Sequence, residues 1–171
     1  AALSNAYPLI LNTGRVRDHW HTMTRSAKSP RLSRHIAEPF VEIHPSDAEP
    51  LGLKHAELAR VSSAHGQIVA RVLISERQQP GSVFAPMHWT AQTASRGRVD
   101  ALVAPLTDPI SGQPESKRTP VRVEPFPASG IQQTRATIIG QRAGQAGRVE
   151  QAGRHPEPRA VVLQRAPAEE V

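Results

Sequence analysis

Chemistry concentrates first in one stretch, Leu9-Ile10-Leu11-Asn12-Thr13-Gly14-Arg15-Val16-Arg17-Asp18-His19-Trp20-His21-Thr22-Met23-Thr24-Arg25. An apolar run breaks at Thr13-Gly14-Arg15, and a loop dense in hydrogen-bond donors and flat side chains follows. Gly14 permits close approach of backbone N–H groups to a ligand, or a left-handed turn. Arg15 and Arg17 can give forked, charge-assisted hydrogen bonds to phosphate or to a purine or pterin carbonyl. Trp20 offers a stacking surface. Together with Asp18, His19, His21, Thr22, Thr24 and Arg25, the pattern suits a large, planar, negatively charged ligand held at a strand end.

Two further segments could face the same ligand. Phe84-Ala85-Pro86-Met87-His88-Trp89-Thr90 ends another strand, with Phe84 expected in the core and Trp89 over an edge. Ser111-Gly112-Gln113-Pro114-Glu115-Ser116-Lys117 could bring Lys117 or Gln113 to an anionic or heterocyclic group. Metal binding is a weaker reading. His19 and His21 would share one side of an extended segment, but no set of carboxylates or thiols completes a site, so hydrogen bonding or packing is expected of them. The chain has no cysteine, which excludes disulfides, thiolate metal sites and cysteine nucleophiles within it. It has no Gly-x-Ser-x-Gly elbow to expose a serine nucleophile. Asp100 and Asp108 make a nominal carboxylate pair, but Asp108 precedes Pro109 and is expected to organise a turn.

The elements that must position these residues are short. Sixteen prolines and eleven glycines in 171 residues argue against a helical bundle. A hydrophobic fraction of 38% with 4% aromatics leaves a core of Val, Leu, Ile and Ala. Tyr7–Leu11 reads as a strand buried on both faces. Arg15–Ser33 reads as a long functional loop with a helical turn. Phe40–Ile43 is a second strand. Pro45 and Asp47 then suit the start of a one- or two-turn helix that Gly52 closes. Leu58–Ser62 and Gln67–Ser75 form a hairpin about Ser63–Gly66, with Ile68, Ala70, Val72 and Ile74 on one face. Gly81–Pro86 and Val121–Val123 are further strands, and Val99–Leu106 is ambiguous between strand and turn. The result is an all-β domain with brief helices, most simply a small closed barrel, because closure removes exposed edges. Residues 1–126 are read as this domain. Residues 127–171, rich in Gly, Gln, Ala and Arg, are read as a flexible tail or linker. No signal peptide or membrane-spanning run is visible, and the chain reads as a piece of a longer protein. The net charge of +6 favours an anionic partner.

Taken in order, these segments resemble the molybdopterin-dinucleotide-binding domain of the DMSO reductase superfamily. The resemblance rests on Leu11–Arg15 with His19-Trp20-His21 and Met23-Thr24-Arg25. It also rests on Ile43-His44-Pro45-Ser46-Asp47-Ala48 with Leu51-Gly52-Leu53, and on Thr107–Pro114 with Lys117. It covers about residues 7–124. Met23–Arg25 and Phe84–Thr90 are similar in wording to bacterial assimilatory nitrate reductases. His55 and Ala56 depart from the pattern, because a charged residue and glycine usually stand there, so that turn is expected to be shifted or strained.

The resemblance implies a six-stranded double-psi β-barrel that binds bis-molybdopterin guanine dinucleotide. It places Thr13, Gly14, Arg15, Arg17, His19, Trp20, His21, Thr22 and Thr24 at the cofactor, with Met87, His88, Ser95 and Lys117 nearby. Ser95 stands where related periplasmic reductases have asparagine. The implied whole enzyme is a cytoplasmic oxidoreductase that reduces nitrate to nitrite in nitrate assimilation. Its molybdenum ligand and iron–sulfur cysteines would lie in upstream catalytic domains of the same subunit, so this fragment alone is expected to be inactive. Two other readings stay open. A basic β-barrel could bind nucleic acid, although the aromatics are few and do not alternate along a strand. An interaction module would instead dock on another protein domain.

Overall fold

The computed structural model describes residues 2–127. The tail read from residue 127 onward therefore lies, from 128, outside the described residues.

Six strands close into a barrel. They are β1 (Leu9–Gly14), β2 (Phe40–Ile43), β3 (Leu58–Ser62), β4 (Gln67–Ile74), β5 (Ser82–Pro86) and β6 (Lys117–Pro125). Their order around the barrel is β1-β5-β2-β4-β3-β6, and β6 returns to β1. Pairs β1/β5 and β2/β4 are parallel, while the other four are antiparallel. The parallel pairs are non-consecutive strands, so the chain crosses the barrel between them. This is the crossed, six-stranded double-psi barrel.

Alternation of side chains fills the interior. Leu9 and Leu11, Val41 and Ile43, Ala59 and Val61, Ile68, Ala70 and Val72, Val83 and Ala85, and Val121 and Val123 are all buried and form one cluster. β1 departs from the expected strand. It starts at Leu9 rather than Tyr7, runs to Gly14, and buries one face only, with Ile10 and Gly14 partly exposed and Asn12 exposed. In a closed barrel only one face of each strand meets the core. Phe84 falls on the outer face of β5 for the same reason and is partly buried, while the expected edge cover, Trp89, is 2% exposed.

Two short helices are those the sequence announced: α1 (Pro30–Ser33), in the long loop, and α2 (Pro45–Ala48). His44 caps α2, its Nδ1 accepting from the Ser46 N–H at 3.1 Å. Asp47 reaches out of α2 and accepts from the Gly81 N–H at 2.7 Å, fixing the approach to β5. The chain leaves α2 through Gly52 at φ +66°. The ambiguous Val99–Leu106 stretch opens with a 3-10 turn, Val99–Leu102, whose Leu102 is fully buried against the core. Ala56 has the strain expected of that turn. Its φ is +65°, and its N–H donates to the Val72 carbonyl at 2.8 Å.

Candidate functional site

Strand β1 delivers Thr13 and Gly14 to one rim of the barrel. The parallel register pairs Thr13 with Ala85 and Gly14 with Pro86, so the loops after β1 and β5 leave side by side. The Met87 N–H donates to the Gly14 carbonyl at 2.9 Å, which carries the pairing one residue past the strands. Gly14 is not left-handed. What requires glycine is the Phe84 ring, whose Cε2 would lie 2.9 Å from an added Cβ.

Strand β6 comes to the same rim through a bulge. Leu11 faces Thr119 and Asn12 faces Lys117, so Arg118 is the extra residue, at φ +59°. A bulge re-aims the side chains beside it. Here the Lys117 ammonium donates to the Thr13 carbonyl. The Thr13 hydroxyl in turn donates to the Ser116 carbonyl at 2.7 Å. Asp108 shapes the preceding turn, accepting from the Ser111 N–H at 2.7 Å and from its hydroxyl at 2.9 Å. These bonds from Ser111, with that from the Ile110 N–H, hold its carboxyl below the usual range. Asp108 is thus a turn residue and not half of a carboxylate pair.

Between these segments lies a cleft of about 240 Å³. Thr13, Thr22 and Met87 of the expected set line it. Trp89, Thr90 and Ser116, from the two further segments expected to face the ligand, line it too, as do Arg98 and Asp100, which were not foreseen there. Ser95 does not line the cleft. The carbonyl of its neighbour Arg96 accepts from the Val69 N–H at 2.8 Å, Gly97 packs on Pro39, and Arg98 and Asp100, further along, line the cleft. Arg98 Nε pairs with Asp100 Oδ1 at 2.9 Å. Spacing alone could not find this pair, because reaching the cleft depends on how the loop packs against the barrel.

The Arg15–Arg25 loop is compact rather than extended. His21 and Met23 are left-handed, at φ +38° and +60°, and the Met23 N–H donates to the Trp20 carbonyl at 2.8 Å. His19 and His21 therefore do not share a side. His19 is buried, its Nδ1 2.8 Å from the Ser26 hydroxyl and its Nε2 2.7 Å from the Ile36 carbonyl. His88 is fully buried. Its Nε2 accepts from the Val16 N–H at 2.9 Å, and its Nδ1 meets the His21 carbonyl. Both histidines, expected at the cofactor, spend their ring nitrogens inside the protein on Ser26, Ile36, Val16 and His21, as supports of the loop. No group of three or more metal-ligating side chains occurs among the described residues.

The outer side of this loop is open. Arg15, Arg17, Trp20, His21, Thr22, Thr24 and Arg25 are exposed, Trp20 by 52%. A second cleft of about 280 Å³ runs between Arg17, Trp20, Arg25 and Leu32. Arg15 and Arg25 form no ion pair among the described residues. Arg17 pairs with Asp18 at 3.2 Å, and His35 reaches the other Asp18 oxygen at 2.9 Å. The hydrogen bond from His35 holds the Asp18 carboxyl below its ordinary value; burial opposes it, and Arg17 adds to the lowering. Free cations, an exposed indole and the Thr22 and Thr24 hydroxyls can hold a planar anionic ligand.

Comparison with known proteins bears on that ligand. Residues 9–120 match the family described as "Molydopterin dinucleotide binding domain". The chain is 58% identical over 117 residues to a nitrate reductase from Klebsiella oxytoca, covering 68% of this chain and 14% of that protein. It is 35% identical over 120 residues to the assimilatory nitrate reductase catalytic subunit of Bacillus subtilis, covering 70% and 16%. A formate dehydrogenase alpha subunit described as F420-dependent, from Methanococcus maripaludis, is 39% identical over 118 residues, covering 69% and 17%. The chain thus spans less than a fifth of the length of these relatives. Among solved structures, acetylene hydratase from Pelobacter acetylenicus shares the fold, with a TM-score of 0.63, 20% identity, and coverage of 70% of this chain and 18% of that one.

Proposed function

Because the chain belongs to the molybdopterin dinucleotide-binding domain family, we propose that it is the cofactor-holding domain of a larger molybdenum oxidoreductase that reduces nitrate to nitrite. The cofactor that such a domain binds is a molybdopterin dinucleotide, here the bis-guanine form. Identity of 58% to a nitrate reductase supports the nitrate branch. Similarity to an assimilatory subunit supports a role in nitrate assimilation in the cytoplasm. No described helix is long and apolar enough to cross a membrane.

The observation that carries the reading is the donor set at one rim. Arg15 and Arg25 are cations without carboxylate partners among the described residues, and Arg25 shares a cleft with the indole of Trp20, which is 52% exposed. That set fits a cofactor made of fused heterocycles and a diphosphate. Arg15, Arg17 and Arg25 would offset the diphosphate charge. Thr13, Thr22, Met87, Thr90 and Ser116 would line the heterocycle's cleft, and Lys117 would keep two N–H groups for it after bonding Thr13. When bound, the cofactor supplies the metal at which nitrate gives up an oxygen atom. The molybdenum ligand and the electron-carrying clusters would come from upstream domains, since the chain has no cysteine. We take residues 1–126 as this domain. Trp89 is buried, leaving Trp20 as the exposed tryptophan. One stacking platform supports a cofactor site rather than a groove for a nucleic-acid strand.

The test is direct. The purified full chain is loaded with cofactor, washed and denatured, and the release is assayed for oxidised-pterin fluorescence and GMP. Retention of both in equal amounts is expected. Salt-sensitive oligonucleotide binding with no pterin retained would overturn the reading.

A further inference from the structure

We propose that His88 is the positioning residue of this site. As a neutral imidazole it clamps the Val16 N–H and the His21 carbonyl, and it releases the Arg15–Thr22 loop when it takes a second proton. The clamp itself is read from geometry alone. Only its consequence for a ligand rests on the proposed cofactor reading.

Tautomer follows from the partners. The Val16 N–H is a donor, so Nε2, 2.9 Å away, must carry a lone pair. The one proton of the neutral ring then sits on Nδ1 and is donated to the His21 carbonyl. The two backbone groups lie on either side of Arg17, Asp18, His19 and Trp20. One ring therefore ties the two ends of this turn together.

That turn needs holding. His21 and Met23 both have left-handed backbones, at φ +38° and +60°, which an L side chain disfavours. Such strain persists where surrounding contacts over-determine it. His88 supplies one such contact at His21 itself. It is anchored from beneath, because Met87 is bonded to Gly14 and Trp89 is buried.

Protonation removes the clamp. A proton on Nε2 would point at the Val16 N–H, donor against donor. The ring is fully buried, and the groups that face it are Arg15, His19 and His21 from the loop and Trp89 from its own segment. None is a carboxylate that could stabilise an imidazolium. Burial, first, and these neighbours hold the imidazole below its ordinary value, opposed by the bond to His21. The clamp is thus closed at neutral pH and opens on acidification.

The experiment uses the full chain, with amide exchange and imidazole nitrogen shifts followed by NMR from about pH 8 to about pH 5. At neutral pH the wild type should show Nε2 unprotonated and the Val16 amide protected. Acidification should speed opening at Val16 by about tenfold or more, beyond the intrinsic pH effect, with the Val41 amide in the core unchanged. Retained pterin should be lost over the same range. His88→Gln offers an acceptor to Val16 and cannot titrate, so it should keep protection and lose the acid response. His88→Phe should lose protection at every pH. If His88→Phe does not fold, His88→Gln decides alone. An acid response that survives in His88→Gln overturns the proposal, as does a wild-type ring protonated on Nε2 at neutral pH. If the wild type retains no pterin, the cofactor reading fails, while the NMR readouts still decide the clamp.

Discussion

The Thr13 hydroxyl and the Ser116 carbonyl oxygen lie 2.7 Å apart, joining chain positions separated by 103 residues. Thr13 is 4% exposed. This bond ties the end of β1 to the segment that leads into β6, and so closes one wall of the cleft. Thr13→Val keeps the β-branched shape and leaves the carbonyl without its partner. A loss of about 1 to 2 kcal/mol in urea unfolding is expected, together with weaker retention of pterin. Thr13→Ser keeps a hydroxyl and should recover most of both. A loss in Thr13→Ser with none in Thr13→Val would mean that the methyl group, not the hydrogen bond, matters.

Gly66 answers to a backbone neighbour. A Cβ there would lie 2.4 Å from the Ala101 carbonyl oxygen. Backbone cannot rotate away as a side chain can, so Gly66→Ala should cost about 2 kcal/mol. Gly52 makes a useful contrast, since its surroundings are open but its φ is +66°. Gly52→Ala should cost about 1 kcal/mol from backbone strain alone. Chemical denaturation of both variants measures the difference, and a Gly66→Ala loss no larger than that of Gly52→Ala would contradict the steric argument.

Ala56→Gly should stabilise the protein. At φ +65° alanine is strained by roughly 1 to 2 kcal/mol. The greater freedom of glycine in the unfolded chain offsets about 0.4 to 1 kcal/mol of the relief. A net gain of about 0.5 to 1 kcal/mol remains, read as a higher urea midpoint with an unchanged slope.

Asp18 links the loop to His35 and makes its stability sensitive to acid. Its carboxyl is held below the ordinary value by His35 and Arg17. The unfolded chain therefore binds the proton more readily. The contribution of Asp18 is fully present above the ordinary carboxylate value and is lost as pH falls through its lower, folded value. Asp18→Asn should flatten the acid limb of a stability–pH curve and leave the neutral limb in place. An acid limb of unaltered slope would refute the assignment. The exposure of the pair makes the effect small and salt-sensitive.

The elements were legible wherever one residue type had one physical reason. Phe40–Ile43 and Leu58–Ser62 stand where their apolar alternation put them. The turn after α2 ends at Gly52 because only glycine takes that backbone readily. The strain at Ala56 was foreseeable only from the resemblance, in which glycine usually stands at that position. Less legible were the residues whose role depends on a distant partner. Ser95 was expected at the ligand, but Arg98 and Asp100 line the cleft and Ser95 does not. His19 and His88 look like ligand-binding groups in a list of polar residues. Their ring nitrogens turn out to be occupied by Ser26, Ile36, Val16 and His21.

By itself the sequence determined a cysteine-free chain of alternating short strands and a donor-rich loop after Thr13-Gly14-Arg15. Periodicity and turn residues act over a few positions and can be read there. Tertiary structure alone decided which members of that loop face outward. Burial and hydrogen-bond satisfaction are properties of the closed barrel, set by pairings such as Thr13 with Ser116 and Val16 with His88, across 103 and 72 positions. They turned two histidines inward as supports and left Arg15, Trp20 and Arg25 free at the rim.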